Sequence, residues 1–146
     1  MMDVRIAALV AALMLINGQR AFAADAAGLW STVGGKAQVR VRACGDALCG
    51  VIVRLKEPTD PKTGRPKTDK RNVDPSKRSR PLIGVPIVLG MKPDGTPGEW
   101  VGQVYNAEDG KTYSGSIRLT GTTTLELQGC ALGGLICKSQ TWTRIK

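Results

Sequence analysis

Lys36-Ala37-Gln38-Val39-Arg40-Val41-Arg42-Ala43 alternates polar or charged side chains with apolar ones. A period of two sends successive side chains to opposite faces, so this stretch reads as a half-buried β-strand. Cys49-Gly50-Val51-Ile52-Val53-Arg54-Leu55 follows closely and reads as a second strand, rich in β-branched residues. Between them, Gly45-Asp46-Ala47-Leu48 suits a four-residue hairpin loop with Cys44 and Cys49 facing each other on adjacent strands. That register puts Val41 opposite Ile52 and Arg42 opposite Val51. Val51 and Val53 then lie on the charged face, and something must cover them.

The chain holds four cysteines, Cys44, Cys49, Cys130 and Cys137. In an oxidising compartment an even count points to disulfides, and four cysteines allow three connectivities. Local spacing favours Cys44–Cys49 and Cys130–Cys137, each closing a short loop and contributing about 2 kcal/mol. A Cys44–Cys137 bridge would contribute more, about 4–5 kcal/mol, but needs two distant segments to meet. Neither spacing is the Cys-x-x-Cys of a redox pair, and a four-thiolate zinc site would compete with oxidation.

Working outward, short strand patterns recur. Gly28 to Val33 comes first, and Gly34-Gly35 ends it. Leu82 to Met91 is interrupted by Gly84 and Pro86, which suggests an edge, a bulge or a strand start at the proline. Trp100 to Tyr105, Lys111 to Leu119, Thr123 to Cys130 and Lys138 to Ile145 complete the series, with turn chemistry at Pro93–Gly98 and Glu108-Asp109-Gly110. Residues 57–80 interrupt the pattern. They are rich in Pro, Lys, Arg and Asp, have no apolar period, and form one long loop, the obvious cover for Val51 and Val53.

Eight short strands joined by tight turns fit an all-β, antiparallel up-and-down barrel, which leaves no free edge. A sandwich is the alternative. The two chain ends favour the barrel. Gly28-x-Trp30 opens the strand region and Trp142-x-Arg144 nearly closes it. In a closed barrel the first and last strands are neighbours, so Arg144 can lie over the Trp30 ring, a cation–π contact of about 0.5–2 kcal/mol. Lipocalin-like barrels use this Gly-x-Trp with a late Arg, and the chain resembles them. Gly28, Trp30, Trp142 and Arg144 are therefore expected to be structural.

Ahead of the strands, Ile6 to Ile16 is an apolar run of about eleven residues after Arg5, too short to span a bilayer. Ala21-Phe22-Ala23 supplies the small-x-small pattern of a cleavage site. Residues 1–23 thus read as a signal peptide, with a buried amphipathic helix as the alternative. Residues 24–146 then form a single β-barrel domain, in the periplasm or outside the cell, and no later apolar stretch is long enough to span a membrane as a helix. The formal net charge is +9 and the pI about 9.8. Such a field attracts anions such as lipid phosphates, anionic headgroups or glycan carboxylates. Nucleic acid is a poor partner for an exported protein. The chain has no His. Ser-His-Asp and Cys-His catalysis are excluded, and so is the commonest zinc ligand.

The motifs also carry a family resemblance. Cys44-Gly45, Leu48-Cys49-Gly50, Asp69, Asn72, Asp74-Pro75 and Arg78-Ser79-Arg80-Pro81-Leu82 occur in order. Trp100-x-Gly102-x-Val104-Tyr105, Asp109-Gly110-Lys111-x-Tyr113-Ser114 and Thr141-Trp142-Thr143-Arg144 follow. From Gly28 to Arg144 the chain resembles a bacterial family of exported proteins named domain of unknown function 2147. That family often has Asp-Pro where this chain has Asn106-Ala107. The resemblance implies an exported β-barrel and brings no activity, substrate or catalytic residue.

The first candidate site is the loop carrying Asp69, Asn72, Asp74, Arg78 and Arg80. Two guanidiniums could clamp a phosphate or carboxylate, steered by the two aspartates. The carboxylates with Asn72 could instead offer oxygens to calcium, but the spacing is not an EF-hand. The alternative is a lid pinned across a barrel mouth by internal Asp–Arg pairs. A second candidate set, Tyr105, Lys111 and Tyr113, flanks the Asp109-Gly110 turn. A desolvated Lys beside a Tyr can do acid–base work, whereas a solvated Lys and cross-strand tyrosines cannot. No cofactor or metal motif stands out. These readings describe an exported binding module for an anionic lipid, glycan or other amphipathic envelope ligand. A His-independent envelope-modifying enzyme and a structural or interaction protein are the alternatives.

Overall fold

The computed structural model describes residues 26–146. The signal peptide expected over residues 1–23 lies outside them. Eight strands follow in chain order: β1 Gly28–Ser31, β2 Ala37–Cys44, β3 Ala47–Leu55, β4 Pro86–Pro93, β5 Glu99–Asn106, β6 Lys111–Leu119, β7 Thr124–Ala131 and β8 Ile136–Arg144. Each pairs antiparallel with the next and β8 returns to β1, so the sheet is a closed up-and-down barrel.

The β2–β3 hairpin corrects the expected register. Cys44 pairs with Ala47, Arg42 with Cys49 and Val41 with Gly50. The turn is the two residues Gly45-Asp46, the loop length whose backbone twist best matches paired strands. Cys44 and Cys49 therefore bridge diagonally, with Cα atoms 5.8 Å apart. Because the slip is two residues, every side chain keeps its face. Val51 still lies beside Arg40, on the charged side, and is half-buried there. The second bridge, Cys130–Cys137, joins directly opposed residues of β7 and β8.

β4 begins at Pro86 rather than Leu82. Proline has no N–H to give to a ladder, so it sits at the first strand position. Ahead of it the chain pairs irregularly with β3: Ile52 N donates to Val85 O at 3.0 Å, and Gly84 N donates to Ile52 O at 2.7 Å.

Closure joins the two chain ends at one end of the barrel. Trp30 pairs with Arg144 and Ser31 with Thr143. The Arg144 guanidinium lies 4.3 Å from the centre of the Trp30 ring. It also donates to Ala27 O at 2.8 Å and Thr122 O at 2.9 Å. Gly28 is required here, since it has φ +149° and a Cβ would lie 2.5 Å from the backbone Lys146 O as well as 2.6 Å from Arg144 Nη1. Trp30 is fully buried and donates from Nε1 to Ala26 O.

The middle of the barrel is filled by interdigitation. Met91 and Val104, both buried, project toward glycines on neighbouring strands. A Cβ at Gly115 would lie 2.6 Å from Val104 Cγ2, and one at Gly102 would lie 2.9 Å from Met91 Cα. Large residues facing glycines bring protein interiors to close packing. Val39, Val41, Leu48, Ile52, Ile117, Leu125 and Trp142 complete this core.

Candidate functional site

Between β3 and β4 the chain runs about thirty residues with a single 3-10 turn, Pro75–Lys77. It carries nine Lys or Arg against four Asp or Glu. Its strand pairing is limited to two isolated bridges, Thr59 with Pro66 and Thr68 with Pro81, and a buried carboxylate is its first anchor.

That carboxylate is Asp69, 1 % exposed. Its Oδ2 accepts from Asn72 Nδ2 at 2.9 Å and from Arg80 Nε and Nη2 at 2.9 Å each. Its Oδ1 accepts from the Tyr105 hydroxyl at 2.5 Å. A buried carboxylate is tolerable when paired and fully hydrogen-bonded, and this one is. The backbone closes the same ring: Asp69 N donates to Arg80 O at 2.9 Å, and Asn72 N donates to Asp69 O at 3.0 Å.

Strand alternation shows where this hub sits. Val104 points into the barrel toward Gly115, so Tyr105, next along β5, points out. Yet Tyr105 is 8 % exposed, and Val85 and Ile87 are buried as well. The segment is a strap over the outer wall of the sheet around β5. Burial, then the hydrogen bond to Asp69, pushes the Tyr105 hydroxyl pKa up to about 12. The Arg80 guanidinium lies 5.7 Å from the Tyr105 ring centre.

Asp74 caps the 3-10 turn, accepting from Ser76 N and Oγ. These bonds, the side-chain one foremost, hold its pKa below the ordinary carboxylate value. Asn72 Oδ1 accepts from Asp74 N at 2.8 Å, and Asn72 O accepts from Arg78 Nε at 2.8 Å. Arg78 and Arg80 thus each have a partner within the strap.

The β5–β6 hairpin is the strap's second anchor. Val73 N donates to Gly110 O at 3.1 Å, and Arg71 Nη1 donates to Glu108 O at 2.7 Å. Gly110 has φ +74°, and a Cβ there would lie 1.7 Å from Arg71 O. Only glycine allows both the turn and the approach. In the same hairpin Asp109 Oδ2 accepts from the Tyr113 hydroxyl, which raises the tyrosine pKa, and Asp109 Oδ1 accepts from Lys111 N at 3.0 Å. Tyr105 and Tyr113 therefore serve different carboxylates, and the exposed Lys111 is outside the Asp69 hub.

A concavity of about 280 Å³ opens where β2 begins and β3 ends, lined by Gly35, Ala37, Gln38, Arg54, Leu55 and Lys56. It lies at the lower edge of the range for small-molecule sites, roughly 300–1,000 Å³. Among the described residues, no three His, Cys, Asp or Glu side chains group as a metal site.

The pinned strap and the Trp30–Arg144 closure belong to a region that a family model matches from residue 28 to 144, under the description of an uncharacterized protein conserved in bacteria, DUF2147. The chain belongs to this family. A solved structure, protein HP1028 from Helicobacter pylori, described as belonging to the lipocalin family, superposes with a TM-score of 0.66 at 24 % identity over 82 % of each chain. At that identity it establishes the barrel fold of this DUF2147 chain. No curated protein matches the chain.

For this DUF2147 domain, several residues escaped sequence reasoning. Arg71 is one of nine similar cations, and nothing local marks it as an anchor. Arg54 and Lys56 read as ordinary strand-end charges. The exposed Leu132, Leu135 and Ile136 were missed too, although apolar residues in a turn break the rule that turns are polar.

Proposed function

We propose that this protein is an exported, non-catalytic binding module of the bacterial envelope that meets its ligand outside the barrel. The interior packing of Met91 and Val104 against glycines carries this reading. Small eight-stranded barrels either fill their interior or hold one small ligand, and here side chains occupy that volume. Two disulfides fit an oxidising compartment, and the apolar run at residues 6–16 supports export to the periplasm.

The ligand class is an anionic or amphipathic molecule, a lipid or glycan. Arg54 and Lys56 line the concavity together with Gln38, Ala37 and Leu55, and the strap that begins there adds its excess of cations. Asp69, Asn72, Arg80 and Tyr105 act as positioning residues that hold the strap. Asp74 and Arg78 shape its 3-10 turn, and Lys111 and Tyr113 border its seat.

Native mass spectrometry of protein purified gently from its own periplasm tests this. A co-purifying lipid or glycan that is lost in the Arg54→Ala/Lys56→Ala variant is expected. Empty wild-type protein, or a ligand retained by the variant, overturns it.

A further inference from the structure

The β7–β8 hairpin ends in Ala131-Leu132-Gly133-Gly134-Leu135-Ile136. Leu132 is 70 % exposed, Leu135 86 % and Ile136 55 %. Leu132 is the only non-glycine described residue with positive φ, at +52°, a strained conformation for a branched side chain. Strain and exposure together are a poor arrangement for a leucine whose only role is a turn. The Cys130–Cys137 bridge lies directly behind the tip and holds it rigid. The turn at Val33–Gly35 packs beside β8.

The charge around the tip selects the occupant. From Leu127 to Lys146 the chain has no acidic residue, and the exposed Lys138 follows the bridge on β8; Lys36, at the Val33–Gly35 turn, is paired with Glu108. Apolar side chains projecting from a segment whose charges are all cationic match an anionic bilayer surface: the leucines enter the headgroup–acyl boundary and Lys138 meets phosphates. The edge of β8 offers a competing use, since its pairing with β1 covers only Thr143 and Arg144. Lys138 on that edge opposes strand addition by a second copy.

We propose that the Leu132–Ile136 tip is a docking site for anionic lipid membranes. This is independent of the ligand site around Arg54 and Lys56. Flotation of the mature chain with vesicles of phosphatidylcholine alone, or with about one-third phosphatidylglycerol, tests it. Binding only to the anionic vesicles is expected, weakening with salt. The double variant Leu132→Ser/Leu135→Ser should bind more than tenfold more weakly, with an unchanged circular dichroism spectrum. Leu135→Trp should bind at least as well as wild type and shift its emission to the blue on anionic vesicles. No vesicle binding, or equal binding by the serine variant, overturns the proposal. Dissociation of a wild-type dimer by the serine variant without any vesicle effect also overturns it and assigns the tip to a second copy. Arg54→Ala/Lys56→Ala should lose far less vesicle binding than the serine variant while losing the co-purified ligand, and the serine variant should keep that ligand, which separates this result from the ligand test.

Discussion

Asp69 and Tyr105 are 36 residues apart and share a hydrogen bond of 2.5 Å, which ties an otherwise irregular strap to the outer wall of the barrel. The bond joins a buried carboxylate to a tyrosine that strand alternation alone would leave in solvent. Its energetics are accessible through pH.

An unfolded tyrosine loses its proton near pH 10, whereas Tyr105 keeps its proton to about 12. Between those values the unfolded chain has released a proton that the native state retains. Stability from this group is therefore complete below pH 10 and is lost as pH rises toward 12. The urea midpoint of wild type should fall more steeply across that window than that of Tyr105→Phe. Near neutrality the variant should be about 1–3 kcal/mol less stable, because Asp69 loses a buried partner. Parallel pH profiles for the two proteins would show that Tyr105 does not carry this pH dependence.

Arg80→Ala removes the only cation among the described residues that pairs with the Asp69 carboxylate. Breaking a buried pair leaves an uncompensated charge, which costs about 3–5 kcal/mol; the partial exposure of Arg80 puts this pair near the lower figure. The loss should appear as strap opening. Limited trypsin digestion should cut the variant among the Lys and Arg residues of 56–80 while the barrel survives. Arg80→Lys should be intermediate, since an ammonium cannot reproduce the two-nitrogen contact. Trypsin resistance equal to wild type would remove Arg80 from the pin.

Gly110→Ala places a methyl group where the Arg71 carbonyl now sits. The strap must move, and the left-handed backbone adds strain. The expected cost is about 1–3 kcal/mol. Hydrogen exchange at the Val73 amide, which donates to Gly110 O, should accelerate at least tenfold, while amides of β5 and β6 stay protected. Unchanged Val73 exchange would mean that the strap does not depend on this seat.

How much of this was legible depended on whether the cause was local. Alternation at 36–43 and the paired Trp30 and Arg144 were enough for a closed barrel, because period and chain-end motifs are properties of the sequence itself. The hairpin after Cys44 was misread by two residues, because two- and four-residue loops share the same turn chemistry at Gly45-Asp46 and only backbone twist separates them. The strap was visible as an interruption at 57–80, and an internal Asp–Arg pairing was one of its three readings. Its seat on Tyr105 was not visible, since that contact joins residues far apart in the chain. The filled interior was equally hidden: Gly102 and Gly115 read as weak strand residues until Met91 and Val104 are seen facing them.

The closure itself can be weighed through Arg144. Truncation to Ala removes a cation–π contact of about 0.5–2 kcal/mol together with hydrogen bonds to Ala27 O and Thr122 O, charge-assisted bonds worth about 1.5–3 kcal/mol each in favourable settings. Part of that returns as water reaches the carbonyls, so a net loss of about 2–4 kcal/mol is expected. β1 pairs with β8 through only two residue pairs, so the loss should concentrate there, with Trp30 emission moving to the red as the ring meets water. Arg144→Lys keeps a cation near the indole but cannot hold two carbonyls from one planar fork, so it should restore less than half of the lost stability. A change under about 0.5 kcal/mol, the size of an ordinary surface substitution, would mean that hydrogen bonding between the terminal strands closes the barrel without help from the guanidinium.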